Sequence, residues 1–178
     1  MDPLTHYMLA YSLGRRWKLE RPHLKALTFA ALLPDIDVLS ILLGIDFFIE
    51  FHGTVTHSIF VAIVLSLVLS LTFFLYYRKN VIPFALVGVG MHLMLDFIPT
   101  LWPRWGHVGM MLFYPFSPQE FALRGVVPYS LLIGVVCVVL LSLLSLYALL
   151  FYVNRKVYPW RLWIDERKVL NLLTGQKS

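Results

Sequence analysis

His92 and Asp96 stand four residues apart inside residues 81–101, an apolar run with no other charged residue. That spacing puts both side chains on one face of a helix. The run is long enough to cross a bilayer, which takes about 20 apolar residues. At that depth an imidazole and a carboxylate are expensive unless they pair, line a wet cavity or hold a metal. A plain hydrogen bond between packed helices would satisfy this stretch alone. Three other stretches, however, supply groups of the same kind.

The rest of the composition agrees with a membrane setting. Of 178 residues, 59% are hydrophobic and only 14% charged, against about 25% charged in soluble domains. Mean hydropathy is +0.75. These values predict an integral membrane protein. The opening Met1-Asp-Pro-Leu-Thr-His lacks a basic n-region and a cleavage site, so it does not read as a cleavable signal peptide. The single cysteine, Cys137, permits no internal disulfide. The net charge of +5 follows the positive-inside rule rather than a nucleic-acid surface. Its basic clusters at 15–25, 78–79 and 155–168 alternate with poorly basic loops at 45–56 and 97–127.

Taken in order, the chain predicts an all-α polytopic bundle. Asp2-Pro3 starts a helix that ends near Gly14 and is too short to span alone. A basic connection through residue 25 follows, with His23 as a solvated loop residue. Residues 26–49 are apolar but broken by Pro34-Asp35-Ile36-Asp37. A broken helix at membrane depth must face protein or a watery cavity. Residues 46–56 read as a polar connection. Thr56-His57-Ser58 opens the apolar run 59–77, and the His92/Asp96 span comes next. Residues 99–128 form a Pro- and Trp-rich interfacial loop, residues 129–153 a structural span, and residues 164–173 an amphipathic surface helix. About four crossings result, at 26–44, 57–77, 81–101 and 129–152, with the basic clusters cytoplasmic. The whole chain is one membrane domain: residues 1–120 bear the motifs, 121–153 are structural, and 154–178 form a tail.

Heights can be measured from the basic anchors at about 1.5 Å per helical residue. His6 then lies roughly 14 Å up, Asp35 roughly 15 Å, His92 roughly 20 Å and Asp96 a turn higher, while His57 begins near the outer interface. Four segments thus place His or Asp in the outer half of the membrane, which predicts a polar pocket open to the non-cytoplasmic side. Mixed His and Asp ligands without Cys suit zinc or a similar divalent ion. Five to seven candidates exceed one tetrahedral site, so one or two ions are expected. Two-metal sites favour phosphoester hydrolysis. There is no Gly-x-Ser-x-Gly elbow, and Ser58 beside His57 does not make a nucleophile–base pair.

Thr5-His6, Pro34-Asp35-Ile36-Asp37, His52-Gly53-Thr-Val-Thr56-His57-Ser58, His92-x-x-x-Asp96 and Tyr114-Pro115-Phe116 occur in one order. This ordered set, over roughly residues 1–120, resembles the LexA-regulated inner-membrane family described as metal-dependent hydrolases with zinc phospholipase C-like motifs. The resemblance implies roles for His6, Asp35, Asp37, His57, His92 and Asp96 in metal binding or catalysis. One departure stands out. The family often has a basic residue directly after the first histidine of the His-x-Gly-type stretch, whereas here Gly53 follows His52 at once.

The reading that results has His6, Asp35, His57, His92 and Asp96 as metal ligands. Asp37 and His52 are proton-handling catalytic residues, and Arg104 and Arg124 contact a substrate phosphate. The expected substrate is a phosphoester of a lipid or other amphiphile, with membrane lipids as partners, no nucleic acid, and room for oligomers. Two alternatives use the same groups: a divalent-cation or proton transporter, and a b-type haem protein with His57 and His92 as axial ligands.

Overall fold

The computed structural model describes residues 3–51, 54–98, 109–123 and 131–155. Among them the regular structure is helical, and the one strand-like feature is an isolated bridge between Met110 and Phe121. The first helix, α1 (Pro3–Arg16), runs through Gly14 rather than stopping there. A Cβ at Gly14 would meet Leu24 Cδ1 at 2.5 Å and Leu27 Cδ2 at 3.0 Å, so this glycine lets a second helix come close. The stop is Lys18, held at φ 54°. Leu19 N–H donates to the Gly14 carbonyl at 3.0 Å and Lys18 N–H to the Arg15 carbonyl at 3.1 Å. This is a Schellman closure with lysine where glycine is usual.

Helix α2 (Arg21–Ala30) starts inside the stretch expected to be a basic connection, with Pro22 in its first turn. Helical geometry buries groups that a loop would have left in water. Lys25 is buried, and its Nζ donates to the Tyr77 hydroxyl at 3.0 Å. The His23 ring rests on Phe84 with centroids 4.7 Å apart, which corrects its reading as a solvated loop residue. Pro34 denies the backbone N–H that would continue α2. The chain bends by 48° and goes on as a 3-10 segment, Leu33–Leu43. Gly44, at φ 130°, ends it. The expected polar connection after it is instead a short helix, α3 (Ile45–Phe51).

Helix α4 (Ile59–Tyr77) matches its apolar run end to end. Ser58 caps it, accepting from Val61 N–H at 3.1 Å. Arg78 closes it in the left-handed conformation. Helix α5 (Ile82–Phe97) has Pro83 in its first turn, and the Asn80 side chain accepts from Ile82 N–H. The last described element is α6 (Leu131–Arg155).

Small residues set the packing. Ala26 and Ala30 of α2 and Ala85 and Val89 of α5 form one buried core with Ala62, Leu69 and Phe73 of α4. Helix α1 packs through Ala10 on Leu27 and Ala31, and through Tyr7 and Met8 on Ala148 of α6. The Ser145 hydroxyl of α6 accepts from Thr5, at 3.5 Å. Outward faces are apolar: Leu67, Val68, Leu71 and Leu75 on α4, and Leu39, Leu42 and Leu43 on the 3-10 segment, are exposed. So continuous an apolar exterior suits lipid rather than water. Among the described residues α4 alone is long and apolar enough to cross a membrane, and α2 with the 3-10 segment qualifies as a second, bent span. At 16 residues α5 is shorter than the 81–101 span expected for it.

The close α2–α5 contact yields a stability prediction. Ala85 is fully buried whereas Leu86 is exposed. Ala85→Leu is expected to destabilise by about 1–3 kcal/mol through overpacking. Leu86→Ala is expected to stay within about 0.5 kcal/mol. Denaturation midpoints of the detergent-solubilised protein check both.

Candidate metal centre

The bend between α2 and the 3-10 segment, the turn before α4 and the C-terminal half of α5 meet at one place. Asp35 and Asp37 arrive on the first turns of the 3-10 segment. His57 comes from the turn ending at the Ser58 cap. His92 and Asp96 come from one face of α5, as their spacing requires. His57 and His92 are buried, and Asp35 and Asp96 keep only 11% and 12% of their side-chain surface exposed. The site is therefore shielded but not sealed.

Four atoms converge. His92 Nε2 lies 3.2 Å from Asp96 Oδ2 and 3.5 Å from Asp35 Oδ1. His57 Nε2 lies 3.4 Å from Asp96 Oδ2 and 3.8 Å from Asp35 Oδ1. The two Nε2 atoms are 3.3 Å apart. All four residues offer ligand atoms within 4.8 Å of one another. A tetrahedral zinc site with bonds of about 2.1 Å has ligand–ligand edges of about 3.4 Å. The five distances above bracket that value.

The protons make the case sharper. His92 Nδ1–H donates to the Ala31 carbonyl at 2.8 Å, so in the neutral ring Nε2 carries a lone pair. The Thr56 hydroxyl donates to Asp37 Oδ2 at 2.8 Å, which leaves its oxygen to accept from His57 Nδ1–H at 3.1 Å. His57 Nε2 then carries a lone pair as well. Two lone pairs and two carboxylate oxygens thus face each other with no hydrogen between them. Asp35 Oδ2 is buried with no hydrogen-bond partner among the described residues. Such a set of acceptors is stable only with a cation in its midst, either a metal ion or extra protons on the imidazoles. Two imidazoles and two carboxylates without cysteine form an ordinary donor set for a divalent metal. The four groups can hold one.

The other expected site residues fall around this group. His6 is fully buried, stacked on His92 at 4.0 Å between centroids, and its Nε2 is 3.2 Å from Asp96 Oδ1. It therefore meets the opposite carboxylate oxygen, beside the four-atom cluster, where as a donor it turns Asp96 Oδ2 toward the histidines. Asp37 reaches the ring of His57 from behind, with Oδ2 3.6 Å from Nδ1. His52, Arg104 and Arg124 lie outside the described residues. Sequence reasoning passed over Thr56 and the Ala31 carbonyl, which orient the two histidines. Thr56 stood next to His57 in the motif and was a findable signal. No sequence pattern marks a backbone carbonyl 61 positions before His92.

The fold and the centre together define a protein that is helical over its described residues, with a lipid-suited exterior and a buried His/Asp group able to hold a metal ion. Residues 1–169 match the family described as YdjM inner membrane protein, and the chain belongs to that family of the inner membrane. No curated protein sequence and no solved structure matches it.

Thr56→Val removes the hydroxyl that joins Asp37 to His57. It is expected to weaken zinc binding by about 10–100-fold, the usual effect of losing an outer hydrogen bond to a ligand. Competition titration with a chromophoric chelator measures it.

Proposed function

We propose that the protein is a membrane-embedded, metal-dependent hydrolase that cleaves a phosphoester of a lipid or other amphiphile. The observation that carries this reading is the ring of four acceptor atoms, buried yet reachable, at the bend of a broken helix. A structural ion in a helical bundle has no need of an open edge, whereas a reactive one does. Zinc fits the donor set best, and the same groups would take a similar divalent ion. When bound, such an ion supplies Lewis acidity and lowers the pKa of a coordinated water to near neutrality.

The chain's own groups supply the rest. Asp35, His57, His92 and Asp96 would hold the ion. Thr56 and the Ala31 carbonyl keep the two Nε2 lone pairs turned inward, and His6 holds Asp96 from the other side. Asp37 shares the Thr56 hydroxyl and stands behind His57, where its charge would offset that of the ion and its carboxylate could take up a proton during turnover. His52 would act as a second proton-transfer group. Arg104 and Arg124 would meet a substrate phosphate. The exposed leucines of α4 and of the 3-10 segment offer a surface along which an amphiphile can approach from lipid. This reading keeps four crossings and a pocket facing the non-cytoplasmic side.

Of the alternatives, haem ligation by His57 and His92 does not suit the site. With their Nε2 atoms 3.3 Å apart, no porphyrin plane fits between the rings. Transport through the same groups would show as metal or proton flux in liposomes.

The deciding experiment loads the detergent-purified protein with zinc and screens phospholipids and isoprenoid phosphates for released phosphate or headgroup. Asp96→Asn is expected to lower turnover by more than about 100-fold, beyond the loss typical of an outer-shell change. Asp37→Asn should lower it by about 10–100-fold with metal content retained. Turnover unchanged in a fully loaded Asp96→Asn preparation would sink the proposal.

A further inference from the structure

Gly88 lies one helical turn before His92 on the same face of α5. A Cβ at this position would meet the Leu27 carbonyl oxygen at 2.5 Å, Ala30 Cβ at 2.8 Å and Ala31 N at 3.0 Å. Two of these are backbone atoms of the last turn of α2 and the residue after it, so they cannot swing away as a side-chain tip would. The contact is therefore possible only with hydrogen in place of a methyl. Ala31 is also the residue whose carbonyl receives His92 Nδ1–H, at 2.8 Å. Because Pro34 removes its N–H from the ladder three residues on, the carbonyl at the bend is open to a side-chain donor.

We infer that Gly88 is a positioning residue for the metal centre. By bringing α5 onto the backbone of α2, it presses His92 against the Ala31 carbonyl and so sets the Nδ1–H tautomer that aims the Nε2 lone pair at Asp35, His57 and Asp96. A methyl at 88 moves α5 outward by the order of an ångström. A bond of 2.8 Å does not survive that shift in the same geometry. His92 is then free to rotate or to change tautomer, and either change turns the lone pair away from the cluster. The helix supplies its own control. A Cβ at Gly90, two residues on, meets nothing within 4 Å.

The inference about metal affinity rests on the reading of the cluster as a metal site, while the tautomer can be tested without any metal. In metal-free wild type, nitrogen-15 NMR of labelled histidine is expected to show His92 protonated at Nδ1. Gly90→Ala should keep that signature, and Gly88→Ala should lose it. With zinc or cobalt added, Gly88→Ala is expected to bind about 10–100-fold more weakly than wild type and to alter the cobalt ligand-field spectrum, with Gly90→Ala unchanged. A wild-type His92 protonated at Nε2 and not at Nδ1 overturns the inference even if Gly88→Ala does not fold. A folded Gly88→Ala protein with the wild-type tautomer overturns it as well. Wild type that shows the Nδ1–H tautomer but takes up no metal removes the metal reading and leaves the positioning role standing.

Discussion

Two carboxylates and two imidazole lone pairs meet within an apolar helical body, and the rest of the structure is arranged around that meeting. Left to themselves these groups repel, and burial deprives them of the water that would screen them. A cation in their midst would hold them together, and three of the four are also tied from behind. The Ala31 carbonyl holds His92, Thr56 and Asp37 hold His57, and His6 holds Asp96. Ties and tied groups together come from α1, the bend after α2 with the 3-10 segment that follows it, the turn before α4, and α5. The centre therefore needs all four segments at their observed separations.

The apolar packing answers to the same need. Alanine and glycine at the α2–α5 contact let two backbones approach closely, as small residues do between helices in lipid. Larger side chains would strengthen burial in an ordinary core. Here they would move α5 and pull its two ligands off the site. The bend at Pro34 serves the site in another way. It frees a carbonyl for His92 and turns the chain so that Asp35 and Asp37 point back toward α4 and α5 instead of continuing along the axis of α2.

The candidate site was legible to an unusual degree because ionisable residues in apolar runs are costly and so stand out. His57, His92, Asp35 and Asp96 come together as their placement in those runs suggested. Local turn chemistry was less legible. Gly14 looked like a helix stop, yet Lys18 takes the left-handed position and Gly14 serves a contact with Leu24 that only the folded chain reveals. Lys25 and His23 read as loop residues because a basic stretch resembles a solvated connection. The helix that contains them buries Lys25 against Tyr77 and sets the His23 ring on Phe84.

The sequence by itself determined the helical class, the membrane setting, the extent of α4 and the identity of the ionisable groups. These follow from composition, hydrophobic run length and capping chemistry, which are local properties. Only the tertiary structure decided the division of labour among those groups: which nitrogen of each histidine faces the cluster, that His6 meets the far oxygen of Asp96, and that Gly88 rather than Gly90 carries the close helix contact. Those outcomes depend on backbone atoms and on separations of a few tenths of an ångström between segments distant in the chain. No pattern of residue types along a sequence encodes such separations directly.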